Sequence, residues 1–99
     1  MRIAIVCAVV LAVAPLAASA QDKNAGRDLA ASCAMCHGTD GRGAVGYEPL
    51  AGMAKADLVR KFTEFRSGAK PATVMHQISK GYTDPQIQLI ADYFSAQKK

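Results

Sequence analysis

The chain is short of the features that define several common protein classes. It has three cysteines in 99 residues, Cys7, Cys33 and Cys36, and the last two are only three positions apart. No disulfide framework is left to staple a small exported fold. No stretch alternates apolar and polar residues as a half-buried strand does, and there is no internal repeat or low-complexity segment. Acidic residues are few, 8 against 12 Lys plus Arg, for a net charge of +4, yet this surplus is too small for a nucleic-acid surface. The glycine-rich stretch from Gly38 to Gly46 lacks the Lys-Ser/Thr ending that a phosphate-cradling loop requires. A single long hydrophobic run exists, Ile3 to Ala14, and it is too short for a stable bilayer span.

That run reads as export machinery. Arg2 supplies a positive start, Pro15 breaks the apolar segment, and Ala18-Ser19-Ala20 is a small-x-small cleavage site. Residues 1–20 are therefore expected to be a cleaved secretory signal peptide, with Cys7 discarded in it. The mature domain, 21–99, is expected to be periplasmic with no membrane span. Loss of Arg2 leaves 11 basic and 8 acidic residues, or +3. A domain of this size buries limited apolar surface and is marginal unaided.

What is present explains how it copes. Cys33-Ala34-Met35-Cys36-His37 is the attachment pattern for a c-type haem. Cysteines about one helical turn apart can reach the two vinyl groups of one porphyrin. The histidine that follows is turned under the ring, where an imidazole nitrogen can bind iron. A thioredoxin-like motif would need a βαβ context, and none follows. A zinc site would need two further ligands, and only Cys7 and His76 are on offer. The expected cofactor is one covalent haem c with iron, a large apolar centre for a small chain. Its two propionates would bring the net charge to about +1.

The remaining pattern is helical, and the expected class is all-α. Asp22 or Asn24 can cap a first helix running from Ala25 to about Cys33, with Gly26 and Leu29 on one face. Gly38 to Gly46 is expected to be irregular loop, and Pro49 to Gly52 a turn. A middle helix is expected over 56–67 on the stripe Leu58, Val59, Phe62 and Phe65, ended by Gly68. A loop follows, with a short helical piece at 74–79. Thr83-Asp84-Pro85-Gln86 fits a capping box, and Ile87, Ile90, Ala91 and Phe94 form the apolar face of the last helix.

Iron needs a ligand opposite His37. The candidates are Met35, Met53, Met75 and His76. Met35 lies between the anchoring cysteines and is too constrained to reach the far face. Met53 follows a turn and could pack at the haem edge. Met75 lies in a loop beyond a full helix, with enough chain to wrap round, and a Met/His pair is a known ligation. His76 is the runner-up, since neighbouring side chains diverge and one alone can face the iron; its other reading is a solvated loop histidine.

These residues resemble class I c-type cytochromes over the whole mature chain. The resemblance implies a small fold of three to five helices wrapped around one covalently attached haem. Cys36-His37-Gly38-Thr39-Asp40-Gly41-Arg42 and the stretch from Ala72 to Asp84 are similar to the small cytochrome subunit of flavocytochrome c sulfide dehydrogenase. In that family the methionine matching Met75 is the distal ligand, and a contact between first and last helices would fall on Gly26, Leu29, Tyr93 and Phe94. One position departs. The family's usual proline, which offers its carbonyl to the haem histidine, is Glu48 here, with Pro49 one position late. The resemblance thus leaves the acceptor for His37 unassigned.

The expected function is one-electron transfer by a His/Met-ligated haem, as the cytochrome subunit or redox partner of a sulfide-oxidising flavoprotein. The alternative is a free monohaem shuttle serving an oxidase or reductase. An enzymatic reading, a small peroxidase or ligand sensor, requires that Met75 not bind; a thiol-exchange reading requires that no haem be attached. The expected docking patch is apolar, from Ala34, Met35, Ala44, Val45 and Met53, with Lys70 and Lys80 at its rim; the other reading is that Met35 and Met53 simply pack on the haem.

Overall fold

A computed structural model describes residues 24–99. The expected signal peptide, its cleavage site, Cys7 and the Asp22 cap lie outside the described residues. Among the described residues five α-helices follow one another: α1 (Ala25–Ala30), α2 (Ala34–His37), α3 (Lys55–Ser67), α4 (Met75–Ser79) and α5 (Asp84–Ser95). Among the described residues there is no strand, only an isolated antiparallel bridge between Ala44 and Tyr47.

Two expectations need correcting. The first helix does not run unbroken to Cys33: it tightens into a 3-10 turn over Ala31–Cys33, then resumes as α2. The glycine-rich stretch is not wholly irregular either, because Thr39–Gly41 closes a 3-10 turn. Asp40 makes this possible by adopting φ 53, a left-handed conformation that aspartate tolerates better than most residues. Its carboxylate then accepts a 2.6 Å hydrogen bond from the Tyr93 hydroxyl on α5. That bond to Asp40, reinforced by burial, pushes the Tyr93 phenol above its ordinary pKa.

The later elements follow their sequence signals. Gly68 stops α3 in the left-handed conformation with φ 83. At the start of α5 both halves of the capping box form: Gln86 N–H donates to Thr83 Oγ1, and Thr83 N–H donates to Gln86 Oε1. The apolar face of α5, Ile87, Ile90, Ala91 and Phe94, is at most 2% exposed and is the centre of the core. Leu58 and Phe62 of α3 and Ala30 of α1 complete it. Lys55 pairs with Asp92 at 2.8 Å, and Arg66 pairs with Asp84. The start of one helix thus meets the end of the other, and α3 and α5 run antiparallel. Such exposed pairs are worth at most about 1 kcal/mol each; the apolar seam does the holding.

The crossing of α1 over α5 depends on Gly26. A Cβ there would lie 2.5 Å from the Leu89 carbonyl oxygen and 3.4 Å from Tyr93 Cβ. Because the obstacle is backbone, no rotamer change relieves it. Gly26→Ala is expected to destabilise the holoprotein by about 1–3 kcal/mol, as overpacking does, measured by chemical denaturation.

Candidate functional site

Helix α2 carries Cys33 at its N-cap, Cys36 within it and His37 as its last residue. Neither thiol is in a disulfide, and both are half-buried. Burial raises the Cys33 thiol above its ordinary pKa, which keeps it protonated at neutral pH. Gly38 ends the helix with φ 84, and the Gly43 N–H donates to the His37 carbonyl at 2.7 Å. The His37 carbonyl is thereby held in place.

The His37 ring has its own partner. Nδ1 lies 2.6 Å from the carbonyl oxygen of Glu48. A carbonyl can only accept, so Nδ1 bears the proton, and Nε2 of the neutral ring keeps its lone pair for a metal. This supplies the acceptor that the sequence left unassigned. It is a backbone atom, so the replacement of proline by glutamate at this position does not remove it. The Glu48 side chain accepts a 2.7 Å hydrogen bond from Lys61 Nζ on α3, and that bond holds its carboxyl below the ordinary range. Lys61 was not foreseen: it is 13 residues from Glu48, and no spacing rule connects a loop residue to a helix at that distance.

Met75 opens α4, half-buried and packed against the core, as do Met53, Leu50, Val59, Tyr82 and Cys33. His76, next along α4, is not a solvated loop histidine. It is half-buried, and its Nδ1 is enclosed without a hydrogen-bond partner; Ser79 Oγ, on the same helix, shares that condition. Met53 likewise leaves the expected docking patch, because it packs inward beside Ala51 in a pocket that Arg42 and Lys99 also line. Met35 and Val45 stay in the patch, 90% and 100% exposed, with Tyr47 half-exposed and set edge-on to the His37 ring. Lys70 does not stand free at the rim, since its ammonium lies 5.4 Å from the centre of the Phe65 ring.

The donor set suits a haem. Two unpaired thiols one turn apart, a histidine with one ring nitrogen committed and the other available, and a half-buried thioether on a separate helix are present together. Half-covered apolar side chains, Cys33, Leu50, Met53 and Met75, border a core in which three of eight buried apolar residues are alanines. Unpartnered buried polar atoms on α4 also indicate that the polypeptide alone does not complete this region.

The cytochrome c family model matches residues 24–98. The chain belongs to the cytochrome c family. The family implies covalent haem c with its iron as the cofactor. Its relatives include the cytochrome subunit of sulfide dehydrogenase from Chlorobaculum tepidum, 39% identical over 70% of this chain and 63% of that protein. Cytochrome c-554(548) of Halomonas halodenitrificans is 36% identical over 80% of this chain and 100% of its own length. Among solved structures, Acidithiobacillus ferrooxidans cytochrome c4 superposes with a TM-score of 0.64 at 37% identity, over 66% of this chain and 38% of that one. The chain spans less than two-thirds of several of these relatives: 63% of the Chlorobaculum protein and 28% of cytochrome c-552 of Acidithiobacillus ferridurans. The all-α class I fold read from the sequence agrees with this family and with the helical architecture.

Proposed function

We propose that this cytochrome is an exported, periplasmic one-electron carrier whose haem is held through Cys33 and Cys36 and whose iron is ligated by His37 and Met75. Haem c supplies one-electron exchange between ferrous and ferric iron. The chain does the rest: the cysteines anchor the ring, Glu48 fixes the tautomer of His37, and Met75 offers a soft sulfur that favours the reduced form and raises the potential. The observation that supports the assignment is the Nδ1 contact of His37 with the Glu48 carbonyl, because it leaves the Nε2 lone pair free for a metal. With His37 and Met75 both holding the iron, no open position would be left for oxygen or peroxide, which favours a carrier over a peroxidase.

The donor or acceptor we propose is the flavoprotein subunit of a sulfide dehydrogenase. The likeness to the Chlorobaculum cytochrome subunit supports this, as does the apolar exposed surface of Met35 and Val45 next to the attachment helix. A permanent subunit contact is larger and more apolar than a transient redox encounter. A second reading, a free shuttle, draws on two observations. The Halomonas relative is matched along its whole length, so a cytochrome of this size occurs without a further domain in its chain. Among the described residues every Asp and Glu lies in an ion pair, whereas Lys80, Lys98 and Lys99 have no carboxylate partner. Unpaired surface cations steer encounters and do so in a salt-dependent way.

Salt separates the two. If the protein is a subunit, a flavoprotein should co-elute with it from native periplasm, and the complex should survive gel filtration from low to high ionic strength. Dissociation at moderate salt, with an electron-transfer rate that collapses alongside, would establish the shuttle.

A further inference from the structure

Resting on the reading of His37 as an iron ligand, we propose that Lys61 and the Glu48 side chain form a strut that positions the Glu48 carbonyl for His37. They are positioning residues, acting on the iron's ligand through a backbone atom.

Glu48 touches two parts of the site with different atoms. Its main-chain oxygen accepts from His37 Nδ1 at 2.6 Å, and its carboxylate accepts from Lys61 at 2.7 Å. The carbonyl in question belongs to the Glu48–Pro49 peptide, and the residue before a proline is confined to extended backbone. That leaves rotation about φ of Glu48 as the freedom that swings the oxygen towards or away from the ring. A proline at position 48 would lock that angle covalently. Glutamate does not, so the angle has to be held from outside.

The surroundings say from where. After the proline the chain is pinned, since Leu50 and Ala51 N–H both donate to the Gly41 carbonyl, at 2.7 and 2.9 Å. Before it, Tyr47 N–H donates to Ala44 at 3.0 Å, inside a loop whose Ala44, Val45 and Gly46 are exposed. Glu48 therefore sits between a fixed side and a loose one. Lys61 ties the residue to α3, where it stands between Leu58 and Phe62, both buried. The Lys61 side chain is only 23% exposed, although its partner is 54% exposed. An exposed ion pair adds little to global stability. Its effect here is local: Glu48 is exposed to solvent, and water competes for its carbonyl whenever the residue turns.

The test uses holoprotein with Glu48→Gln, Lys61→Met and the exchanged pair Glu48→Lys/Lys61→Glu. One measurement is solvent exchange of the His37 Nδ1 proton in the ferrous protein, followed by nitrogen-15 NMR. The other is the pattern of hyperfine-shifted haem protons in the ferric protein, which reports ring orientation and which a mere loss of surface stability leaves unmoved. Both single variants should exchange the proton faster, by about tenfold for a weakened hydrogen bond, and both should shift the proton pattern. The exchanged pair should restore both. Unchanged exchange in the singles would show that the pinned backbone suffices and would end the strut proposal while leaving His37 as a ligand. Faster exchange that the exchanged pair fails to restore would also reject the pair. A wild-type spectrum without histidine ligation would overturn the His37 reading itself, and the strut with it.

Discussion

Replacing Met75 with leucine is expected to lower the reduction potential and to let the reduced protein bind carbon monoxide, which the wild type is expected to exclude. Leucine keeps the volume and the apolar contact of Met75 with the core, so the fold should persist while the sulfur is lost. A thioether is a soft donor that favours ferrous iron. Its removal should shift the potential by on the order of 0.1 V, a modest part of the roughly 0.8 V that axial ligands span. At about 60 mV per tenfold for a single electron, that is a change of more than tenfold in the redox equilibrium. His76→Leu is the paired control. Its ring is half-buried with an unpartnered Nδ1, so it is a credible competitor, one residue away on the same short helix. Two adjacent residues on a helix point about 100° apart, and one alone can face a given spot. Little change in the potential and the carbon monoxide response on His76→Leu, with large changes on Met75→Leu, is the expected pattern. The reverse pattern would move the ligand role to His76.

Removing both thiols is expected to have the other large effect. In Cys33→Ser/Cys36→Ser, denaturing gels stained for haem should show no band, whereas the wild type from cells competent in cytochrome maturation should show a strong one. The consequence should extend to folding. The buried apolar core comprises Leu58, Phe62, Ile87, Ile90, Phe94 and three alanines, little for a chain of this length. A chain that no longer retains the cofactor should lose far-ultraviolet helical signal and become protease-sensitive, since it loses an apolar centre that the polypeptide does not supply. The single variants each keep one attachment point. Cys33→Ser and Cys36→Ser should still stain, more weakly, with a shifted absorption band for the remaining free vinyl group. A haem-stained band of full strength from the double variant would refute the attachment through these cysteines.

How much of this was legible in the residues varies with the range of the interaction. The haem motif was, because Cys33, Cys36 and His37 fall within one turn of chain and local geometry sets their spacing. So was α5: the Thr83–Gln86 capping box and the stripe Ile87, Ile90, Ala91 and Phe94 are periodic signals within one segment. The proximity of Gly26 to Tyr93 came from family likeness and not from any local signal. The break in the first helix at Ala31 was missed, because alanine favours an uninterrupted helix and only the way the chain packs tightens it into a 3-10 turn.

The sequence by itself determined that the chain is helical, that it carries the Cys-x-x-Cys-His spacing of a haem-attachment motif, and that its last helix is apolar on one face. Tertiary structure alone decided what the histidine leans on. The residue type at position 48 pointed away from the answer, since the proline expected there is a glutamate. The acceptor is a main-chain oxygen, present whatever the side chain, and its direction depends on where the fold carries the loop. The same holds for Lys61, which reaches the Glu48 loop from α3, and for Asp40, whose partner Tyr93 is 53 residues away. Periodicity encodes which face of a helix is buried; it carries no information about which two distant polar groups the packing of those faces will bring within 3 Å of one another.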